Sequence, residues 1–125
     1  MEDLSNWDAT GNWGPDSSYS VEGSSSLNDY PGNNSTPNLT TYILTAIDVS
    51  GSTWPVLRFW DRYGLADDWG YLEVSPNGTS WYRVYSTRSS RTSWSEQSID
   101  LSPWKASDNL RIRFSVGTGS SNFDE

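Results

Sequence analysis

The sequence predicts an all-β protein, specifically a two-sheet antiparallel β-sandwich of jelly-roll type. Apolar and polar residues alternate along several short segments, and a period of two places successive side chains on opposite faces of a strand. Turn-forming residues separate these segments at short intervals, as they do in sandwiches and jelly rolls. No segment has the period of a helix of ordinary length. The 125 residues are enough for one core, so we assign residues 1–125 to a single domain.

The N-terminal part of the chain predicts three strands and one long loop. Residues 5–9 and 17–22 contain aromatic and β-branched side chains, and the Gly and Pro residues between them predict a corner. Residues 23–38 are nearly all turn formers and predict a long loop. Residues 40–50 predict a third strand, because three aliphatic side chains fall on one face.

The stretch from Pro55 to Tyr85 has the strongest strand signals. Its apolar residues share one parity, while arginine and aromatic residues share the other, which predicts a half-buried meander. The pair Asn77-Gly78 predicts a hairpin turn over residues 75–79, because Gly tolerates a positive φ. The predicted strands cover residues 55–63, 69–75 and 80–86. The predicted inward residues are Leu57, Phe59, Leu72, Val74, Tyr82 and Val84.

The C-terminal part predicts two further strands. Residues 87–93 are polar and predict a connection, after which residues 94–101 predict a strand. One helical turn is predicted near residues 103–106. Residues 110–116 alternate cleanly between apolar and polar side chains, so they predict a strand with one buried face.

The composition excludes several classes of function. The chain has no Cys and no His, which rules out Cys nucleophiles, Ser-His-Asp triads and zinc sites of the Cys/His type. Its formal net charge of −8 argues against binding to nucleic acid or to an anionic membrane, because both need a basic surface. No apolar run has the length of a membrane span. The acidic, Ser- and Asn-rich composition predicts an extracellular protein, secreted or on the cell surface.

Aromatic and arginine side chains are concentrated on the predicted outward face of the meander. Sugar C–H groups stack on flat aromatic rings, and guanidinium groups donate hydrogen bonds to hydroxyls or carboxylates. The same interleaving also occurs where an antiparallel face is only solvated and its side chains form cross-strand pairs. Arg111 and Arg113 follow this pattern in the last strand. The predicted ligand-binding residues are Arg58, Trp60, Arg62, Tyr71, Trp81, Arg83 and Tyr85.

The remaining tryptophans lie near predicted turns. A chain with eight Trp and few aliphatic residues needs aromatic side chains in its core. We therefore expect the Trp residues at the turns to close the ends of the sandwich rather than to bind a ligand. These residues are Trp13, Trp54, Trp94 and Trp104.

The order and spacing of motifs along nearly the whole chain resemble a known family. The sequence is similar to the MAM-like accessory domains that occur beside immune-inhibitor-A-type metallopeptidases and in large bacterial and archaeal surface proteins. The resemblance implies a concanavalin-A-like jelly roll without catalytic activity, which serves adhesion, glycan contact or packing. The motifs are Trp7, Trp13, residues 28–31 (NDYP), 47–50 (IDVS), 57–63 (LRFWDRY), 70–75 (GYLEVS), 78–81 (GTSW), 99–102 (IDLS) and 110–114 (LRIRF).

The resemblance also implies a calcium ion. Calcium takes several hard oxygen ligands, which carboxylates at the ends of loops supply. The alternative is that these acids are solvated and only keep the domain soluble. The acids Asp67 and Asp68 form another local pair. The predicted calcium ligands are Glu2, Asp3, Asp29, Asp124 and Glu125.

The C-terminus departs from the pattern of the family. Its members usually end in a strand that reads roughly Asp-Gly-Trp-Tyr-Ile-Asp-Asp-Ile, whereas this chain stops at residues 123–125, where that strand should begin. We therefore expect the domain to lack its final strand. An open sheet edge favours self-association or the addition of a strand from a partner.

Four functions are compatible with the sequence. The first is a non-catalytic extracellular accessory or adhesion module of a larger secreted or surface protein, which contacts a protein or a glycan. The second is a carbohydrate-binding module that uses the aromatic-arginine face, and the third is a structural subunit completed by strand exchange. A small glycosidase is the least favoured, because it needs two carboxylates beside one cleft. Asp61, Asp67 and Glu73 are the only candidates we consider for that pair.

Overall fold

The computed structural model describes residues 5–9, 13–28, 40–43, 45–117 and 122–124. All strand pairings in this part of the chain are antiparallel. A short 3-10 helix, Ser102–Trp104, is the only helix there, so no described helix could cross a membrane. The strands are β1 (Trp7–Ala9), β2 (Gly14–Asp16), β3 (Ser26–Asn28), β4 (Thr40–Ile43), β5 (Val56–Ser75), β6 (Tyr82–Asp100), β7 (Arg111–Val116) and β8 (Asn122–Asp124).

The fold is built on the long hairpin of β5 and β6. The two strands pair from Val56 opposite Asp100 to Val74 opposite Tyr82. Their register shifts at four places, three of which lie between Asp61 and Trp69. Such bulges bend a strand pair and increase its twist. The hairpin therefore bends sharply near the middle of its length.

The two halves of the hairpin face each other across the core. Phe59, in the first half of β5, packs edge to face against Phe114 and Tyr85, with ring centroids 5.6 and 5.7 Å apart. Phe114 and Tyr85 are both register partners of Leu72, in the second half of β5. The inner face of one half thus meets the inner face of the other, and their outer faces point in opposite directions.

Two sheets result from this bend. Residues 70–75 of β5 pair with β7, which continues to β4 and β1, and we call this layer the β7 sheet. Residues 62–64 of β5 pair with β8, which continues to β3 and β2, and we call this layer the β8 sheet. The predicted two-sheet antiparallel sandwich of jelly-roll type is confirmed.

The core lies between the inner faces of the two sheets. In β7 the apolar side chains are buried and the residues between them are partly exposed, as the alternation of residues 110–116 predicts. The predicted inward positions of Leu72 and Val74 are also confirmed, because neither has any exposed surface. The buried core residues are Trp13, Leu27, Leu65, Leu72, Val74, Leu101, Leu110, Ile112, Phe114 and Val116.

The predicted turn over residues 75–79 is confirmed. Gly78 has a φ of 79°, in the region that favours glycine. The Ser75 hydroxyl accepts a hydrogen bond from the Gly78 amide at 2.8 Å. The Asn77 side-chain oxygen accepts from the amides of Thr79 and Ser80 at 2.9 and 2.8 Å. These bonds satisfy the backbone of the loop that joins β5 to β6.

Four predictions of secondary structure are wrong. The predicted strands at residues 55–63 and 69–75 are one strand, and the predicted connection at residues 87–93 lies inside β6. The reason is that the partner strand of the hairpin supplies hydrogen bonds to the backbone N–H and C=O groups of this polar stretch, so it can stay in a strand with any pattern of side chains. Residues 17–22 form bends and not a strand. Instead β3 lies inside the predicted loop of residues 23–38, whose residues 29–38 fall outside the described ones.

The predicted strand at residues 40–50 is shorter than expected. Within the described residues β4 ends at Ile43, and beyond it only Ile47 pairs, through an isolated bridge to Leu110. Asp48 explains part of this, because its carboxylate accepts hydrogen bonds from the Ser50 amide and hydroxyl and so forms a local turn.

A bulge also reverses the predicted side-chain parity of β6. Leu72 opposes Tyr85 whereas the next residue, Glu73, opposes Arg83, so Val84 is an additional residue in the pairing. Tyr85, predicted to face outward, therefore points into the core. Tyr82, predicted to face inward, lies at the end of its strand and is 50% exposed.

A buried carboxylate lies just before the bend of the hairpin. Asp61 has no exposed surface and accepts hydrogen bonds from the Tyr85 hydroxyl at 2.7 Å and from the Gln97 amide at 3.0 Å. The Arg91 guanidinium forms an ion pair with it. Burial and the hydrogen bond to Asp61 raise the pKa of Tyr85, so this hydroxyl stays protonated as a donor.

We expect Asp61→Ala to lower the free energy of unfolding by about 3 kcal/mol, because it leaves three polar groups at the bend without their acceptor. Tyr85→Phe removes one donor only and should cost about 1 kcal/mol. Urea denaturation measures both values. A cost below about 0.5 kcal/mol for Asp61→Ala would show that the network contributes little to stability.

Candidate functional site

The outer face of the β7 sheet carries a continuous row of arginine and aromatic side chains around one carboxylate. We call this row the arginine-aromatic ladder. Each member contacts the next through an ion pair, a stacked ring or a guanidinium over a ring. Its members are Trp69, Tyr71, Glu73, Trp81, Arg83, Arg88 and Arg113.

The centre of the ladder is a cross-strand trio. Glu73 of β5 lies in register with Arg83 of β6 on one side and with Arg113 of β7 on the other. The Arg113 Nε donates to Glu73 Oε1 at 3.0 Å, while the Arg83 Nη2 lies 4.0 Å from Glu73 Oε2. Two guanidiniums therefore share one carboxylate, and only one of them is hydrogen-bonded to it at short range.

Aromatic rings hold both guanidiniums in place. The Arg83 Cζ lies 3.5 Å from the centroid of the Tyr71 ring, and the Arg113 Cζ lies 4.1 Å from that of the Trp81 ring. A guanidinium that lies flat on a ring keeps its N–H donors at its edges, where a ligand can accept from them. The side chain of Arg83 is 53% exposed, so its donors are accessible.

The ladder continues along β5 to an exposed tryptophan. The rings of Trp69 and Tyr71 are parallel within 3°, with centroids 6.1 Å apart. Trp69 is 39% exposed, and the Arg88 Cζ lies at a loose 5.4 Å from its ring centroid. Tyr71 is covered by a guanidinium, so Trp69 offers the more open ring for a ligand.

A cleft of about 250 Å³ opens beside the trio. Its polar walls are carboxylate, guanidinium and hydroxyl groups, and its apolar wall includes an aromatic ring. The hydrogen bond from the Gly117 amide to the Trp69 carbonyl, at 2.8 Å, fixes the end of β7 beside the aromatic residues. The lining residues are Tyr71, Glu73, Arg83, Arg113, Ser115, Val116 and Gly117.

The structure divides the predicted ligand-binding residues among three places. Tyr71, Trp81 and Arg83 lie in the ladder. The second group consists of Arg58, Trp60 and Arg62, which lie on the first half of β5 and face outward from the β8 sheet. Tyr85 is partly buried and packs against the core. A single binding face of all seven residues is therefore wrong, because β5 crosses from one sheet to the other; their roles in binding stay predictions.

The ladder adds residues that the sequence pattern did not single out. Trp69 has the same parity as Tyr71 and Glu73, so alternation was a usable signal for it. Alternation could not identify Arg88, because this residue lies in the polar stretch that the sequence predicts to be a connection. It faces Trp69 only because β6 continues through that stretch.

Other exposed aromatic residues line two further clefts. Tyr82 and Trp104, with ring centroids 5.9 Å apart, border one of about 440 Å³. Trp104 also packs against the core, whereas Trp54 is 73% exposed in the rim of a cleft of about 550 Å³. Trp13 is buried as expected, but the expected core position of Trp54 is wrong.

The predicted calcium ligands are only partly within the described residues. No group of three or more acids in this part of the chain could hold a metal ion. Hydrogen bonds from neighbouring serines lower the pKa of Asp48 and Asp100, so these carboxylates already have local partners. Asp124 lies in β8, while the other predicted ligands, Glu2, Asp3, Asp29 and Glu125, lie outside the described residues. Calcium binding stays a prediction.

The two described acids of the glycosidase hypothesis are not beside one cleft. Asp61 is buried in the core with three hydrogen-bonding partners. Glu73 lies on the outer face of the β7 sheet, between two arginines. A glycosidase needs both carboxylates to reach the same sugar bond, so this pair does not meet the requirement. The side chain of Asp67 lies outside the described ones.

Comparisons with known proteins agree on the fold. No protein-family model and no curated protein matches the chain. Among solved structures it is similar to the carbohydrate-binding module TmCBM61 in complex with β-1,4-galactotriose (TM-score 0.57, 16% identity, 99% of this chain and 87% of that chain). It is also similar to the cleaved adhesin domain of Lys-gingipain from Porphyromonas gingivalis (0.61, 15%, 96% and 86%). A third similar structure is the xylan-binding domain from CBM 22 (0.57, 10%, 97% and 83%).

We expect Glu73→Gln to lower the free energy of unfolding by about 1 kcal/mol, because it leaves two neighbouring guanidiniums without their shared charge. The loss should shrink in about 1 M salt, which screens their repulsion. Glu96→Gln, at an exposed carboxylate on the β8 sheet, is the matched control and should have no effect. Equal effects of the two substitutions in urea denaturation would contradict this account.

Proposed function

We propose that this domain is a non-catalytic carbohydrate-binding module and that the arginine-aromatic ladder is its binding site. The observation that carries the proposal is the ring of Trp69, which is 39% exposed, beside guanidiniums that are held in place by aromatic rings. The similar structures support it, since two of them are carbohydrate-binding modules and one of these is in complex with β-1,4-galactotriose.

The chemistry of a sugar matches the two parts of the ladder. A sugar ring has C–H groups on its faces, which bury well against an exposed aromatic ring. Its hydroxyls lie at the edges and need hydrogen-bonding partners when water is displaced. Trp69 supplies the ring, while Arg83 and Arg113 supply donors at the adjacent cleft. Because their aromatic partners already fix these guanidiniums, less conformational entropy is lost on binding.

The broader setting follows from the same proposal. The domain acts as an accessory part of a larger secreted or cell-surface protein and brings that protein to a glycan. The MAM-like resemblance is consistent with such a role. Adhesion to a protein is the second candidate function, and the similarity to the adhesin domain of Lys-gingipain favours it.

We expect Trp69→Ala to weaken glycan binding at least about tenfold, because it removes the exposed stacking ring. Calorimetry with β-1,4-linked galacto- and xylo-oligosaccharides measures the effect. Trp60→Ala is the matched control, since Trp60 is 42% exposed on the outer face of the opposite sheet. That variant should bind like the unchanged domain.

Two outcomes would contradict the proposal. If Trp60→Ala abolished binding while Trp69→Ala did not, the site would lie on the β8 sheet. If the unchanged domain bound no glycan on a broad array of plant, microbial and animal oligosaccharides, the carbohydrate-binding function itself would be wrong. Circular dichroism of each variant separates loss of binding from loss of folding.

A further inference from the structure

We infer that the ladder selects carbohydrates that bear a carboxylate, such as uronic acid residues, over their neutral counterparts. This inference rests on the proposed function and deepens it. The observation behind it is a local excess of positive charge on an acidic protein. The centre of the ladder contains two guanidiniums, those of Arg83 and Arg113, and the single carboxylate of Glu73, a formal charge of +1, on a chain whose net charge is −8.

Packing alone does not account for this charge. Opposite charges that lie directly across from each other stabilise a sheet, but one carboxylate between two arginines leaves one positive charge unbalanced. Here both register neighbours of Glu73 are arginines, and Arg83 lies too far from the carboxylate for a short hydrogen bond. A carboxylate is the strongest type of partner for a guanidinium. The ladder contains no second carboxylate that Arg83 could bind at short range.

The geometry of Arg83 suits a carboxylate ligand. The guanidinium carbon lies 3.5 Å from the centroid of the Tyr71 ring, a contact that holds the group in position. A planar guanidinium donates two parallel hydrogen bonds to a carboxylate, and such a pair is stronger than bonds to neutral hydroxyls. Both residues line the cleft of about 250 Å³, but the side chain of Arg83 is 53% exposed and that of Glu73 only 14%, so the guanidinium is the group that an acidic ligand reaches more easily.

The overall charge of the chain restricts the ligand further. A net charge of −8 repels a densely charged polymer such as a heavily sulfated glycan at long range. The local excess is small and short-ranged, because salt screens it within about 8 Å at physiological ionic strength. We therefore expect recognition of one carboxylate at a time within an otherwise neutral sugar chain.

Calorimetry with matched oligosaccharide pairs tests the inference. Each pair consists of a uronic acid oligosaccharide and its carboxyl-reduced form, which keeps the linkage and the remaining hydroxyls. We expect the acid form to bind at least about tenfold more tightly than the reduced form at low salt. The preference should fall when the salt concentration rises to about 0.5 M.

Two arginine variants locate the effect. Arg83→Gln should weaken binding of the acid form at least about tenfold more than binding of the reduced form. Arg83→Lys keeps the charge but not the planar fork, so it should restore only part of the preference. Lys105→Gln, at an exposed residue directly after the 3-10 helix Ser102–Trp104, is the control for the loss of one positive charge and should leave both affinities unchanged.

The outcomes separate the inference from the proposed function. Equal affinities for both members of every pair would overturn the preference for carboxylates and leave carbohydrate binding intact. Absence of binding to either member, and to neutral oligosaccharides, would overturn both. Tighter binding of a sulfated analogue than of the acid form would overturn the assignment to carboxylates. A preference that survives Arg83→Gln with the fold intact would remove Arg83 from the account.

Discussion

The bend of the β5–β6 hairpin is the feature on which the rest of the structure depends. A single pair of strands, 20 and 19 residues long, supplies part of both sheets. Three register shifts between Asp61 and Trp69 allow it to turn back on itself, and the core forms in the space that the turn encloses. The same bend sends the outer faces of its two halves to opposite sides of the molecule. It thereby decides which exposed side chains can share a ligand.

Polar groups stabilise this bend from inside. Asp61 lies at the start of the bulged segment, and its partners Arg91 and Gln97 come from the facing part of β6. Tyr85 reaches it from the other half of the hairpin, so the network joins the two layers. A buried charge is tolerated there because each of its oxygens accepts a hydrogen bond.

The arginine-aromatic ladder on the outer face of the β7 sheet is held together by different contacts. Its arginines neither enter the core nor balance the acidic surface evenly, but stack on aromatic rings around one carboxylate. Stacking limits the motion of long side chains, which lowers the entropy lost when they bind a ligand. The ladder combines an open indole ring with fixed donors, and this combination leads to the proposed carbohydrate site. The fold contributes by placing three strands in register beneath it.

The all-β class, the strand β7 and the turn at Asn77-Gly78 are predictable from the sequence, because each depends on local alternation or on local backbone chemistry. The sequence also identified most of the residue types in the site, since Tyr71, Trp81, Arg83 and Arg113 are visible from parity. Parity does not reveal that Arg58, Trp60 and Arg62 lie on another face, or that Tyr85 packs against the core. Bulges and a strand that changes sheets produce those differences, and each adds a residue or a bend that a strict period of two does not contain. The pairing of Trp69 with Arg88 likewise depends on the hairpin. Residues 87–93 of β6 remain in a strand because they pair with β5, and not because their side chains alternate.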